Sequence, residues 1–283
     1  MTDLKFPAGL SEISDSYDVV LCDVWGVIHN GRKAFEPACD ALMRFRETGK
    51  PVCLVTNAPV PKAQVVRYFE PLGVPESAFD DCVSSGDATR AELEHWAGKS
   101  VWILGADGGF EHDRHLYEGI DLTPVTGTEA DVLLCIGLRD AIHEEPEDYR
   151  TELAPAAKRG VTMICANPDI RVRVGGDLWW CAGALAEIYK ELGGTVIYPG
   201  KPFAPIYKLA LQRLVKTDVQ PERVLCIGDS PATDVRGARL QGFHSLYVGT
   251  GLKEHGNDFE GEVRELLTDY QEAANWAMTG LRW

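Results

Sequence analysis

The chain has 283 residues, enough for one large domain or two moderate ones, and its 45% hydrophobic and 25% charged residues are ordinary for a globular protein. A formal net charge of -15 argues against nucleic acid and anionic membranes as partners, because both bind basic surfaces. A small anionic substrate remains compatible with this charge if a local metal and lysine hold it. We see no signal-peptide pattern and no apolar run near the ~20 residues of a membrane span, so we predict a cytoplasmic location.

The cysteines indicate a reducing environment. Eight are present, and none forms a C-x-x-C pair. Several lie in apolar runs, where a free thiol packs as a small hydrophobic group. We therefore predict reduced, structural thiols.

Short apolar runs alternate with longer amphipathic segments along the whole chain. In chain order, the predicted elements are a strand at Val19–Cys22, a helix at Glu36–Thr48, a strand at Val52–Val55, a helix at Pro61–Glu70, a strand at Cys82–Ser84, a helix at Asp87–Trp96, strands at Val101–Leu104 and Val132–Ile136, a helix at Pro146–Lys158, a strand at Val161–Cys165, helices at Gly183–Leu192 and Phe203–Val215, a strand at Val224–Ile227, a helix at Thr233–Leu240, a strand at Ser245–Val248 and a helix at Glu262–Ala277. Continuous apolar strands alternating with helices predict an α/β fold, with a parallel sheet covered on both faces.

The residues suited to chemistry fall in two stretches, Asp23–Thr56 and Lys201–Asp234, while the middle of the chain lacks such a cluster. In open α/β sheets, ligands bind beyond the carboxyl ends of the strands. Asp23, Thr56 and Asp229 each lie just past such an end. We therefore expect both ends of the chain to build one crevice, with the middle segment as a separate insertion.

The first stretch, Leu21–Gly31, reads L-C-D-V-W-G-V-I-H-N-G. Asp23 directly follows an apolar strand, where a carboxylate is available for in-line attack on phosphorus. Taken alone, an aspartate at that position is more typical of a turn that caps the strand end. Gly26 allows a sharp turn that brings backbone N–H groups near an oxyanion.

Two further positions suit phosphate binding. Thr56 and Asn57 follow the second predicted strand, and a threonine hydroxyl with neighbouring amides can hold phosphate oxygens, although T-N is also a common strand-to-loop junction. Lys201 stands between Gly200 and Pro202, just before a predicted helix. This setting suits a placed cation that binds phosphate, and a random surface lysine is an equally good interpretation.

The string G-D-S-P-A-T-D follows the predicted strand Val224–Ile227. It puts Asp229 at the strand end and Asp234 in the first turn of the next helix. Carboxylates so placed suit a hard cation with oxygen ligands. Asp234 also suits the alternative of an acid that stabilises the start of its helix.

Two other features indicate less. Gly105–Gly109 follows a predicted strand but lacks the G-x-G-x-x-G spacing, so dinucleotide binding is not indicated. Trp179 and Trp180 suit core packing better than a substrate wall.

Taken together, these motifs resemble the haloacid dehalogenase superfamily of phosphohydrolases, and most closely its class IIA branch of pyridoxal-phosphate, phosphoglycolate, nitrophenyl-phosphate and nucleotide phosphatases. D-V-W-G-V-I-H-N-G matches the first family motif except at its second aspartate, where this chain has Trp25. T-N at Thr56, G-K-P at Gly200 and G-D-x-x-x-T-D at Gly228 match the other three. A-N-P-D at 166–169 and C-A-G-A-L at 181–185 resemble segments of the family's cap.

The resemblance implies a Rossmann-like doubly wound core, residues 1–86 and 196–283, with an inserted α/β cap domain, residues 87–195. It implies Mg²⁺ held by Asp23, Asp229, Asp234 and the backbone carbonyl of Trp25, with Asp23 as nucleophile. It implies that Thr56, Asn57 and Lys201 hold the phosphoryl group, that Asn167 and Asp169 contact a small phosphorylated metabolite, and that a homodimer forms through the cap.

In the family, the aspartate that Trp25 replaces protonates the leaving oxygen and then activates water. Such a group is worth ~10²–10⁴-fold in rate. We therefore predict a phosphatase that is slow or selective for good leaving groups. His29 is the nearest titratable residue in sequence that could substitute, although the family has an aromatic residue there for packing.

Two alternatives remain at this stage. The first is a phosphate-ligand binding or regulatory protein that kept the site and lost turnover. The second is another transfer at the same site, such as phosphonate or carbon–halogen cleavage. Phosphonate cleavage would need a Schiff-base lysine in the cap, and the candidates are Lys99, Lys158 and Lys190.

Overall fold

The computed structural model describes residues 4–105, 113–174, 177–215, 218–251 and 255–283. Its strands are β1 Val19–Cys22, β2 Val52–Thr56, β3 Asp81–Ser84, β4 Lys99–Leu104, β5 Leu122–Val125, β6 Val132–Cys135, β7 Thr162–Cys165, β8 Arg171–Val174, β9 Asp177–Trp180, β10 Thr195–Ile197, β11 Val224–Gly228, β12 His244–Val248 and β13 Trp276–Met278. Its helices are α1 Glu36–Glu47, α2 Lys62–Arg67, α3 Phe69–Leu72, α4 Ser85–Leu93, α5 Arg150–Arg159, α6 Ala182–Glu191, α7 Ala204–Leu214, α8 Arg236–Gln241 and α9 Phe259–Asp269. Of the glycine-rich sequence at 105–109, only Gly105 belongs to the described residues.

The chain forms two compact units. The first, the core unit, comprises Met1–Thr56, Val66–Val83 and Pro202–Trp283, and the second, the inserted unit, comprises Asn57–Val65 and Ser84–Lys201. The predicted domain limits, 1–86 and 196–283 around 87–195, stay a prediction. A short segment after β2 belongs to the inserted unit, so Thr56 and Asn57 are neighbours in sequence but members of different units.

In the core unit, a six-stranded sheet has the order β13-β12-β11-β1-β2-β3. The chain builds outward from β1 through β2 to β3, returns to the other side of β1 as β11, and continues to β12 and β13. The pairs β1–β2, β1–β11, β11–β12 and β12–β13 are parallel. The strand order therefore reverses between β1 and β11, the topological switch point at which open α/β sheets bind ligands.

The inserted unit contains its own sheet, of order β10-β7-β6-β4-β5, in which every neighbouring pair is parallel. Successive residues of β6 enter different clusters: Leu133 packs with Leu185 and Tyr189 of α6, while Leu134 packs with Leu93 and Leu116. Both faces of this sheet are therefore buried, which explains why its central strands are apolar without alternation. With helices flanking both sheets, the predicted α/β class with an inserted α/β domain is confirmed.

The predicted C-terminal helix extends too far toward the C-terminus. We predicted Glu262–Ala277, but α9 ends at Asp269 and the chain then forms β13, whose Trp276 is paired with Leu246 of β12. Gln271 has a φ of 55°, a left-handed conformation that a helix does not continue through. Edge pairing with a distant strand, rather than local propensity, decides the structure here.

Four further strands were not predicted. They are β5, β8, β9 and β10. β5 and β10 lie at the two edges of their sheet. β5 contains Pro124, which an edge strand tolerates, and β10 has only three residues. β8 and β9 form a separate antiparallel pair. Such strands carry a weak hydrophobic signal, because little of their surface enters a core.

All eight cysteines are buried and form no disulfide. Burial raises the pKa of the Cys39 thiol to about 11 and that of Cys135 to about 12, so these thiols remain protonated and unreactive. Among the described helices, we find none long and apolar enough to cross a membrane.

Glu272 ties the turn after α9 to α8. Its side chain is 1% exposed, and its carboxylate accepts hydrogen bonds from Arg236 Nε at 2.8 Å and Arg239 Nε at 2.7 Å. Burial raises the pKa of Glu272, but the guanidinium groups of Arg239 and Arg236 together lower it further, so the net pKa is below its ordinary value. The pairing therefore stabilises the fold above the unfolded pKa of about 4.3, and this contribution is lost as pH falls through the folded value.

We expect Glu272→Gln to reduce the free energy of unfolding at pH 7 by about 1–3 kcal/mol, because charged hydrogen bonds become neutral ones. The difference from wild type should shrink as pH falls below about 4. Urea unfolding at both pH values measures it. The matched control is Glu152→Gln, whose bond to Arg139 is exposed and should contribute at most about 1 kcal/mol. Equal effects of the two variants, or a pH-independent effect at Glu272, would contradict this account.

Candidate active site

The switch point of the core sheet brings Asp23 beside the end of β11. The backbone N–H of Asp23 donates to the carbonyl of Ile227 at 2.8 Å, which continues the β1–β11 ladder by one residue. Asp23 is buried, with 8% of the residue exposed. Asp229 follows β11 directly, so two carboxylates leave adjacent parallel strands at the same edge.

Asp234 joins them from the π-helical turn Pro231–Val235. Its carboxylate accepts from the backbone N–H of Ser230 at 3.1 Å, and a Cβ added at Gly228 would lie 2.1 Å from its Cγ. Asp23, Asp229 and Asp234 each offer an oxygen within 4.8 Å of the others. Three carboxylates at this separation repel one another unless a cation neutralises them, and an all-oxygen donor set suits Mg²⁺.

Two glycines give Asp229 its space. A Cβ added to Gly26, whose φ is +85°, would lie 2.5 Å from Oδ2 of Asp229. A Cβ added to Gly251 would lie only 1.5 Å from the same oxygen. The Thr250 hydroxyl donates to the carbonyl of Gly26, linking the 250 loop to the turn after β1. Gly251 was missed by sequence reasoning, since the G-T-G run that follows β12 carries no sign of which distant side chain approaches it.

Gly251→Ala is therefore expected to displace the Asp229 carboxylate. A misplacement of about 1 Å at a reacting centre can cost on the order of 10²-fold in rate, and any rise in thermal midpoint on adding Mg²⁺ should be smaller in this variant than in wild type. The matched control is Gly137→Ala, because an added Cβ there meets nothing within 4 Å. A wild-type Mg²⁺ response in Gly251→Ala would show that Asp229 is not needed where the structure places it.

Trp25 and His29 lie in the turn that follows Asp23. Trp25 is partly buried, and its indole Nε1 would lie 3.4 Å from a Cβ added at Gly31. His29 is buried, its Nδ1 accepts from the backbone N–H of Gly31 at 3.0 Å, and its ring packs edge-on against Phe69. Burial lowers the pKa of His29 to about 4, so the ring is neutral at physiological pH. These contacts favour the packing interpretation of His29 over an acid role.

Thr56 is the last residue of β2 and is buried. Because β2 pairs with β1 in parallel, with Leu54 opposite Cys22, Thr56 leaves the sheet at the same edge as Asp23. The core unit thus gathers Asp23, Trp25, Thr56, Asp229 and Asp234 at one end of its sheet.

The remaining predicted site residues lie in the inserted unit, where they form a connected group. The Asn57 side chain bonds to the backbone of Lys201 and to the carboxylate of Asp169. Asn167 accepts from the backbone N–H of Asp169 at 3.1 Å. The sequence indicated each of these residues, but it did not indicate that they bond to one another.

Carboxylates at the switch point of a parallel sheet, in a core interrupted by an inserted α/β domain, define the class of phosphohydrolases that the sequence resembles. A haloacid dehalogenase-like hydrolase family model matches residues 20–118, and a second, HAD-hydrolase-like model matches 198–273. A solved hydrolase of the haloacid dehalogenase-like family from Brucella suis 1330 is 38% identical, covers 98% of this chain and 100% of its own, and superimposes with a TM-score of 0.84. The chain belongs to the haloacid dehalogenase-like hydrolase family, as predicted.

Curated relatives include phosphatases from the branch that the sequence resembles. The ribonucleotide monophosphatase NagD of Escherichia coli K12 is 27% identical over 241 residues, covering 82% of this chain and 88% of the relative. The 5'-nucleotidase YutF of Bacillus subtilis 168 is 26% identical over 269 residues, covering 94% and 96%. The chain is thus a member of a family of phosphatases for small phosphorylated substrates.

Proposed function

We propose that this protein is a Mg²⁺-dependent phosphatase that hydrolyses a small phosphorylated metabolite through an aspartyl-phosphate on Asp23. The observation that carries the proposal is the carboxylate group of Asp23, Asp229 and Asp234 at the end of β1 and β11. Asp234 also accepts from the Ser230 N–H, but this bond does not account for the approach of Asp23 and Asp229 to within 4.8 Å of it at a ligand-binding edge of the sheet.

In the proposed reaction, a carboxylate oxygen of Asp23 attacks phosphorus, and the bond from phosphorus to the leaving oxygen breaks. The leaving group departs with the bonding pair and takes a proton from solvent. Water then attacks the phosphorus of the aspartyl-phosphate, which releases inorganic phosphate and restores the Asp23 carboxylate. Thr56 and Lys201 are proposed to hold the phosphoryl oxygens, Thr56 by its hydroxyl and Lys201 by its charge.

Mg²⁺ is proposed to be held by Asp23, Asp229 and Asp234, with the backbone carbonyl of Trp25 as a further ligand. The donor set fits, since it consists only of oxygen atoms. When bound, the ion would neutralise charge on the phosphoryl group and on these carboxylates.

The proposal is tested by measuring phosphate release from a panel of nucleotide, sugar and aryl phosphates in the presence of excess Mg²⁺. We expect release from at least one ester, and loss of that release on chelation with restoration by added Mg²⁺. Phosphate release that survives complete chelation would contradict the metal assignment. Failure of every ester would contradict the phosphatase itself.

The second candidate is a phosphate-ligand binding or regulatory protein with little turnover, and Trp25 favours it because the acid/base aspartate is absent. A Mg²⁺-dependent burst of phosphate release with trapped aspartyl-phosphate would indicate weakened chemistry in an enzyme. Ligand binding with no release would indicate the binding protein.

Phosphonate cleavage is less well supported. Lys99, Lys158 and Lys190 are all exposed, and Lys190 pairs with Glu187. A Schiff-base lysine works best in a desolvated pocket, and the exposure of these three side chains does not supply one.

We further propose that the protein forms a homodimer through its inserted domain. The inserted unit exposes Ile142, Ile170 and Leu178, and an interface that covered these side chains would remove their apolar surface from water. Sedimentation velocity distinguishes the dimer from a monomer. Substrate contact by Asn167 and the cytoplasmic location stay predictions.

A further inference from the structure

The Asn57 carboxamide pairs with the main chain of Lys201 as a neighbouring strand would. Its Oδ1 accepts from the Lys201 backbone N–H at 2.8 Å, and its Nδ2 donates to the Lys201 carbonyl at 3.2 Å. The two residues are 144 positions apart in sequence and are each 4% exposed. One side chain therefore fixes both backbone polar groups of the lysine.

Asp169 fixes which way the carboxamide points. Its Oδ1 accepts from Asn57 Nδ2 at 2.9 Å, so both N–H groups of the amide are occupied. Rotating the amide by 180° would direct its oxygen at the Asp169 carboxylate and its nitrogen at the Lys201 N–H, which leaves like groups facing each other. The observed orientation is therefore the one that satisfies every partner.

The Asp169 loop is itself anchored. The Gly183 N–H donates to the Asp169 carbonyl at 3.2 Å, and a Cβ added at Gly183 would lie 2.3 Å from the carbonyl oxygen of Pro168. The start of α6 thus packs directly on the loop that orients Asn57.

Gly200 completes the packing around the amide. An added Cβ at Gly200 would lie 2.7 Å from Asn57 Oδ1 and 2.6 Å from the Ser85 hydroxyl, which itself donates to the carbonyl of Ala166. The residue before Lys201 must therefore lack a side chain. Because Gly200 packs against Asn57 and Ser85, and Asn57 bonds to the Lys201 backbone, that backbone has little freedom to shift.

We propose that Asn57 is a positioning residue that acts through Lys201, and that Asp169 orients Asn57. This role replaces the substrate contacts that the sequence predicted for Asn57 and Asp169, and it rests on the proposed function of Lys201 as a phosphoryl-binding cation. The side chain of Lys201 binds the phosphoryl group, and the Asn57 amide sets the backbone position from which that side chain extends.

A double-mutant cycle tests this role. With 4-nitrophenyl phosphate and Mg²⁺, Lys201→Ala should lower kcat/KM on the order of 10²-fold or more, and Asn57→Ala on the order of 10-fold or more. The double variant should be no worse than Lys201→Ala alone, because Asn57 has nothing left to position. A direct substrate contact, or a merely structural role, predicts instead that the two losses multiply.

Conservative variants supply a second readout at the less buried Asp169, in case Asn57→Ala folds poorly. Asp169→Asn keeps an oxygen acceptor for Asn57 and should stay within about 3-fold of wild type, whereas Asp169→Leu removes the acceptor and should lose about 10-fold. The control Asp140→Asn changes an exposed acid in the same unit and should leave activity unchanged. Equal activity of Asp169→Asn and Asp169→Leu would overturn the orienting role.

The phosphoryl-binding role of Lys201 and the positioning role of Asn57 can be disproved independently. If Lys201→Ala leaves kcat/KM unchanged, the lysine assignment in the proposed function is wrong. If Lys201→Ala is impaired but the Asn57 and Lys201 losses multiply, the proposed function stands and the positioning role is wrong.

Discussion

Replacing Asp23 with asparagine is expected to reduce phosphate release by on the order of 10³-fold or more, because the amide is a poor nucleophile and removes one charge from the cation site. The fold should survive, since asparagine has nearly the same shape and the Asp23 backbone bond to Ile227 is unaffected. Phosphate release with 4-nitrophenyl phosphate and circular dichroism measure the two effects.

The cluster of three carboxylates predicts a second effect of Asp23→Asn, on thermal stability. Asp23 lies with Asp229 and Asp234 within 4.8 Å, so without metal the three acids repel one another. Asp23→Asn should therefore not lower the thermal midpoint of the metal-free protein, while its Mg²⁺-induced increase should shrink. Asp40→Asn, an exposed helix residue paired with Arg44, serves as the control and should match wild type. An Asp23→Asn protein that keeps most of its phosphate release would remove the nucleophile assignment.

Trp25 is expected to make the rate depend strongly on the leaving group. With no acid at this position, the leaving oxygen departs without a placed proton donor, so aryl and acyl phosphates should react much faster than sugar or alkyl phosphates. His29 does not supply the acid, since its ring is buried and its pKa is lowered to about 4. Breakdown of the aspartyl-phosphate should also be slow, so that the intermediate accumulates and can be trapped by acid quenching.

Restoring the acid with Trp25→Asp should raise kcat/KM for alkyl phosphates by roughly 10²–10⁴-fold and flatten the dependence on leaving-group pKa. The indole is partly buried against Gly31, so its loss also changes packing. Trp25→Leu separates the two effects, because it removes the indole without adding a carboxylate. A wild type with a flat dependence, equal to that of Trp25→Asp, would mean that a general acid is already present.

Local sequence patterns were sufficient to locate the two strand ends that carry the proposed nucleophile and metal ligands. Val19–Cys22 and Val224–Ile227 are apolar runs long enough for buried strands, and the residues that follow them, Asp23 and Asp229, needed only the rule that parallel strands end at one edge. The same patterns failed at Trp276–Met278, because that strand is stabilised by pairing with β12 rather than by its own residues. Ala277 and Met278 are buried, but a run of three residues is too short for hydrophobic periodicity to distinguish a strand from a helix.

The sequence by itself determined the α/β class, the family and the residue types of the site. Each of these depends on short local segments, whose pattern can be recognised without knowing their distant partners. Only the tertiary structure decided that Gly251 makes room for Asp229 and that Asn57 holds the backbone of Lys201. Asn57 and Lys201 are 144 residues apart, and no local propensity encodes which distant backbone an amide will meet. That pairing arises when the packing of the inserted unit brings the two segments together and each buried polar group must find a partner.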